Sequence, residues 1–178
     1  MKKLYLTAIM FATATASFSS LAASNNTISF QGEVTDQTCE LTVNGELESP
    51  IILLPTVSTA DFASNVAGKT PFEVGVAGCK ADGSSISTVF VGNNVSTAGN
   101  LGNTGTAANV DIQILKPDNS TVINFTDKYV GASDLTLADS ATSATSTYYA
   151  QYYTSGTTAD TINKGTVTAS LQYSVSYQ

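Results

Sequence analysis

The chain has 178 residues, with 14 acidic against 7 basic side chains, no histidine and no tryptophan, and every basic residue is a lysine. A formal charge of −7 argues against a nucleic-acid surface and against anionic lipid, since a net acidic protein is repelled by both. Without His there is no Ser-His pair and no common metal-ligand cluster, and without Arg there is no bidentate anion clamp, so no enzyme, cofactor or metal is expected.

The first 22 residues, MKKLYLTAIMFATATASFSSLA, carry two lysines, a short apolar run and then small residues. This is the layout of a secretory signal peptide, with cleavage after Ala22 placing Ser20 and Ala22 at the two recognised positions and Ala23 as the alternative end. The apolar run is too short and too rich in Ala, Ser and Thr for a membrane span. The mature chain is expected to be exported, with no membrane insertion once the signal is removed.

Strand patterns follow in sequence. In TISFQGEV, Ile28, Phe30, Gly32 and Val34 share one face at period two. LTV follows Cys39; SPIILLPTV is an apolar run stopped by Pro55; DFASNVA fits a single helical turn. TPFEVGVAGC alternates through Phe72, Val74 and Val76 to Cys79, and ISTVFVG reads as a strand over 86–91. GNNVSTAGNLGNTG is glycine-rich but lacks both a P-loop lysine and a following helix, so it reads as a solvated loop. NVDIQIL, TVINF and STYYAQYYT are further strands, separated by turn clusters such as NGE, ADGSS, KPDNS and SGTTAD. Asp134 and Asp139 are the nearest thing to a carboxylate pair, and no motif singles them out.

The last segment, GTVTASLQYSVSYQ, sets Val167, Ala169, Leu171, Tyr173, Val175 and Tyr177 on one face, with Thr, Ser and Gln between them. Termini are usually polar and frayed, so a core-grade strand there needs a reason. Many short strands at near-regular spacing predict a β-sandwich or barrel in one domain. In an exported chain the two cysteines, Cys39 and Cys79, read as one disulfide.

The sequence resembles fimbrial subunits of the chaperone–usher type, close to type 1 major pilins. The resemblance is carried by Gly32 within the alternating F-Q-G-E-V, by Cys39 in D-Q-T-C, and by Cys79 closing F-E-V-G-V-A-G-C. It is carried further by Gly165, fourteenth from the end, and by the penultimate aromatic Tyr177. The resemblance implies an all-β, incomplete immunoglobulin-like sandwich that lacks one strand and is completed by a donor strand. Residues 1–22 would be the signal, 23–35 the donor extension and 36–178 the pilin domain.

On the same ground Ile28, Phe30, Gly32 and Val34 would be the donor face. Gly165, Val167, Ala169, Leu171, Tyr173, Val175 and Tyr177 would form the acceptor groove and chaperone contact. The implied partners are copies of the chain or sibling pilins, a periplasmic chaperone and an outer-membrane usher, and the implied destination is a surface fimbria. A simple β-bulge is the plainer role for Gly32, and a turn for Gly165. Two other functional readings stand beside it. One is a minor or adaptor pilin of the same system; the other is a monomeric exported carbohydrate-binding sandwich, stacking sugars on Tyr148, Tyr149, Tyr152 and Tyr153.

Overall fold

The structure, a computed structural model, describes residues 39–47, 50–62, 64–81, 83–155 and 162–177. By its contacts the chain divides into residues 1–32 and residues 33–178, and every described residue belongs to the second unit. The signal peptide and the alternating segment with Ile28, Phe30, Gly32 and Val34 lie outside the described residues.

Among the described residues nine strands run in order: β1 (Glu40–Val43), β2 (Val66–Ala77), β3 (Ser85–Gly92), β4 (Leu101–Gly102), β5 (Asp111–Leu115), β6 (Tyr129–Val130), β7 (Leu135–Thr136), β8 (Ala144–Tyr153) and β9 (Leu171–Tyr177). They form two antiparallel sheets. One has the order β1-β2-β8-β5-β4; in the other β3 pairs with β6, β7 and β9. β9 runs along β3 from Ile86 to Gly92, so β6 and β7 share the opposite edge of β3 end to end. The result is an all-β sandwich, one of the two architectures expected from the spacing of the strands, and it is immunoglobulin-like, as the resemblance implies.

Local chemistry fixes the turns. Asn44 and Gly45 both take positive φ, 50° and 80°, the two-residue hairpin geometry that Asn-Gly favours. The Asn44 side-chain oxygen accepts from the Glu73 N–H at 2.8 Å, tying that hairpin to β2. Cys39 and Cys79 are joined as a disulfide across the start of β1 and the end of β2, with Cα atoms 4.2 Å apart.

Several elements differ from the pattern read in the sequence. Residues 50–57 form no ladder among the described residues, because Pro50 and Pro55 remove donors and the neighbouring edge is open. TVINF contributes one bridge, Leu115↔Val122, rather than a strand. The helical turn sits earlier, at Thr59–Asp61, where the Ser58 hydroxyl accepts from the Ala60 N–H and the Asp61 carboxylate accepts from the Ser58 N–H. The glycine-rich loop contains the short strand β4, and YV and LT form β6 and β7 despite their brevity. The C-terminal ladder begins at Leu171, not Val167, because the lead-in lies beside an irregular loop instead of a strand.

The interior has two clusters. The larger gathers Phe72, Val74, Phe90, Leu101, Ile112, Ile114 and Tyr148, among others. The smaller gathers Val76, Cys79, Ile86, Leu135 and Leu137, next to the disulfide.

Candidate functional site

The C-terminal segment alternates as its sequence requires: odd residues from Val167 to Tyr177 are half-buried, while Thr168, Ser170, Gln172 and Ser174 are exposed. Its even-numbered backbone groups face one side. The carbonyls of Thr166, Thr168 and Ser170 accept from the N–H groups of Ala107, Thr104 and Asn93 at 3.0, 2.8 and 3.3 Å. The Thr168 N–H donates to the Asn103 side-chain oxygen at 2.8 Å. An extended chain that spends its even-numbered groups on one edge points its odd-numbered groups at the other. On that other edge, among the described residues, β9 meets no strand.

Across from this edge runs the segment 50–57. Ile52 and Leu54 pack against the larger cluster, whereas Ile51 and Leu53 are 80% and 82% exposed. Its far end is pinned by the Tyr152 hydroxyl, which donates to the Pro55 carbonyl at 3.2 Å. Burial raises the pKa of that hydroxyl, so it stays protonated as a donor.

Between the two rails lies a groove of about 610 Å³. Ile51 to Leu54 form one wall, and Val167, Ala169, Leu171 and Tyr173 the other. Phe72, Val74, Phe90, Ile112 and Ile114 form its floor. None of its described lining residues is charged. Such a trough can hold an extended apolar segment, and the backbone edges beside it meet no strand among the described residues.

Of the residues singled out in the sequence, Val167, Ala169, Leu171 and Tyr173 line this groove, and Val175 and Tyr177 pack on the smaller cluster beyond its end. Gly165 does not line it. It is exposed in the lead-in, where a Cβ would strike the Thr106 and Ala107 backbone, so close chain approach requires glycine. The rail at 50–54 was not assigned to a site in the sequence; its signal was an unbroken apolar run framed by two prolines. The four tyrosines do not form a platform: Tyr148 is fully buried, and Tyr152 is half-buried and engaged with Pro55. Among the described residues no group of three or more Cys, Asp or Glu side chains is placed to hold a metal.

Comparison with known proteins gives a consistent result. A family model described as fimbrial protein matches residues 28–178. The chain is 35% identical over 175 residues to the F17 fimbrial protein of Escherichia coli, covering 93% of this chain and 94% of that protein. It is 34% identical over 168 residues to the major fimbrial subunit SMF-1 of Stenotrophomonas maltophilia, covering 87% and 94% respectively. In fold it is similar to the P pilus rod subunit PapA, with a TM-score of 0.57 at 12% identity, over 78% of this chain and 99% of that one. The chain belongs to the fimbrial protein family.

Proposed function

We propose that this protein is a structural subunit of a surface fimbria of the chaperone–usher type, polymerising by donor-strand exchange and supporting adhesion. The observation that carries the reading is the uncharged groove between residues 50–54 and 167–173, beside an edge of the C-terminal segment that meets no strand among the described residues. The segment Thr27–Val34 of the next copy supplies a matching occupant. It is extended in pattern, apolar on one face and uncharged at the three apolar positions Ile28, Phe30 and Val34. Fully burying those three side chains contributes roughly 5–9 kcal/mol before ordering costs. Before assembly, a periplasmic chaperone occupies the groove with its own strand and an outer-membrane usher receives the complex. The name of the Stenotrophomonas maltophilia relative, a major fimbrial subunit, supports reading this chain as a major subunit over a minor or adaptor one.

Gly32→Leu tests the assignment. The groove-facing register places a leucine against the floor, an overpacking cost of about 1–3 kcal/mol in the subunit that donates, while its own groove is untouched. Chaperone-held mutant and wild-type subunits would be mixed and the heat-sensitive ladder followed on gels. The mutant is expected to accept a wild-type strand and fail to donate its own. Normal donation would reject the register, and failure to accept would reject the separation of extension from groove.

A further inference from the structure

We infer that Asp134 is a positioning residue for strand uptake, holding the aromatic floor of the groove in place through the hydroxyl of Tyr148. This rests on the groove reading above. It starts from an interruption in the fold. β6 and β7 cover one edge of β3 at Val89–Phe90 and at Ser85–Ile86; between them, at Ser87–Thr88, that edge pairs with neither of the two, while β9 runs along the other edge. There the connecting loop turns inward. The Gly131 N–H donates to the Thr88 carbonyl at 2.8 Å, and the Ser133 N–H to the Ser87 hydroxyl at 3.2 Å. A Cβ on Gly131 would collide with the Asp134 carboxylate, so the glycine is what lets that carboxylate enter.

One carboxylate oxygen of Asp134 accepts from the Thr88 N–H at 3.0 Å and stands in for the missing rung. Gap-filling needs no more than that. The second oxygen accepts from the Thr88 hydroxyl at 2.6 Å and from the Tyr148 hydroxyl at 2.7 Å. Tyr148 belongs to β8 in the opposite sheet, so the carboxylate ties the sheets together. Thr88 and Tyr148 are both fully buried. The Tyr148 ring lies 5.9 Å from Phe72 and 5.0 Å from Phe90, centroid to centroid, and those two side chains are groove floor. A core ring is usually held by close packing on all sides. Here two of the packed rings, Phe72 and Phe90, are also groove floor, and the anchor at the hydroxyl end of Tyr148 fixes the ring they pack on. Released from it, the rings can settle into the space a donor strand needs.

The experiment uses the mature chain in its chaperone complex and a labelled peptide of residues 24–36. Exchange of the peptide into the groove and its later release are timed for wild type, Tyr148→Phe, Asp134→Asn and the double variant. Each single change is expected to speed release about tenfold, the scale of one lost charge-assisted hydrogen bond. The double variant should release no faster than the quicker single, because both changes cut the same link. Val76→Ala, in the smaller cluster, serves as the control: it should lower Tm and leave release unchanged. Release at the wild-type rate from Tyr148→Phe, effects that multiply in the double variant, or an equal change from Val76→Ala would each overturn the inference. Tyr148→Phe removes one hydroxyl and keeps the ring, so it carries the test alone if Asp134→Asn yields no complex. A wild-type subunit that takes up no peptide would overturn the groove reading and this inference with it.

Discussion

The two halves of the C-terminal segment carry the same alternation and meet different neighbours. Val175 and Tyr177 pack over Val76, Ile86, Leu135 and Leu137, a cluster closed by the Cys39–Cys79 disulfide. Val167, Ala169, Leu171 and Tyr173 lean over Phe72, Phe90 and Ile114 and remain half-buried beside the groove. Period two decides which way a side chain points. It does not decide whether another strand stands beside it. One end is thus a finished core; the other, on the proposed function, is completed by an inserted strand, so stability is expected to reside mainly in the finished end.

The largest expected effect tests that division. Replacing Cys39 and Cys79 together with serine opens a 40-residue loop in the unfolded chain, for a loss of about 4 kcal/mol on the chain-entropy model. Denaturant unfolding of the peptide-filled subunit measures it, and a loss well under 1 kcal/mol would show that the disulfide end is not the finished one. Next comes Leu135→Ala, at a side chain with no exposure, which is expected to cost about 3 kcal/mol whether or not the groove is filled. Leu171→Ala should behave in the opposite way. On the open groove it should cost about 1 kcal/mol, and with the peptide bound clearly more, because only then is its side chain fully enclosed. Equal costs in the two states would mean that Leu171 does not contact the inserted strand.

Most of the sheet scaffold was legible because alternation is enforced by burial. Phe72, Val74 and Val76 in β2, and Ile112 and Ile114 in β5, fall inward as their spacing requires. The disulfide followed from cysteine number and export. What was not legible is instructive. Residues 50–57 read as an ordinary strand, and nothing local in an apolar run says whether a partner strand stands beside it. β6 and β7 are two residues each, too short to show any period, and their pairing depends on β3 from a distance. Asp134 looked like one surface acid among many. Its role depends on Gly131 making room and on Thr88 and Tyr148 arriving from two other strands, which is tertiary information.

Tyr148 also gives the comparison a pH handle. Burial, and then its hydrogen bond to Asp134, hold the phenol well above its ordinary value of 10.0. A raised folded-state pKa contributes stability that is intact below the unfolded value and is lost as pH climbs past it. Wild-type protein should therefore weaken above about pH 10, where the unfolded chain ionises this group and the folded chain resists. Tyr148→Phe should flatten that alkaline limb without abolishing it, since Tyr129 and Tyr152 are also raised by burial. An unchanged limb in urea titrations across that range would place the alkaline sensitivity elsewhere.

The smallest effect is expected at a turn that belongs to neither end. In KPDNS the Asp118 carboxylate is drawn well below its ordinary 3.8, first by the Thr121 side chain and then by backbone N–H groups. The N–H groups of Thr121 and Ser120 reach it at 2.7 and 2.8 Å. Asn119 sits at φ 58° in the same turn, and its carbonyl accepts from the Lys69 ammonium at 3.3 Å. The carboxylate is fully exposed, so water competes for every one of these bonds and the net gain is small. A depressed folded-state pKa means that the gain is complete above the unfolded value and is lost as pH falls toward the folded one. Asp118→Asn keeps an acceptor oxygen and removes only the charge. The stability gap between wild type and variant should be constant near neutral pH and close progressively once pH drops below about 4. Peptide uptake should not change, because Asp118 is not among the residues lining the groove. A gap that persists undiminished into strong acid would remove the carboxylate's charge as its cause. Slower uptake in the variant would mean that the open end of the sandwich extends further than its lining residues indicate.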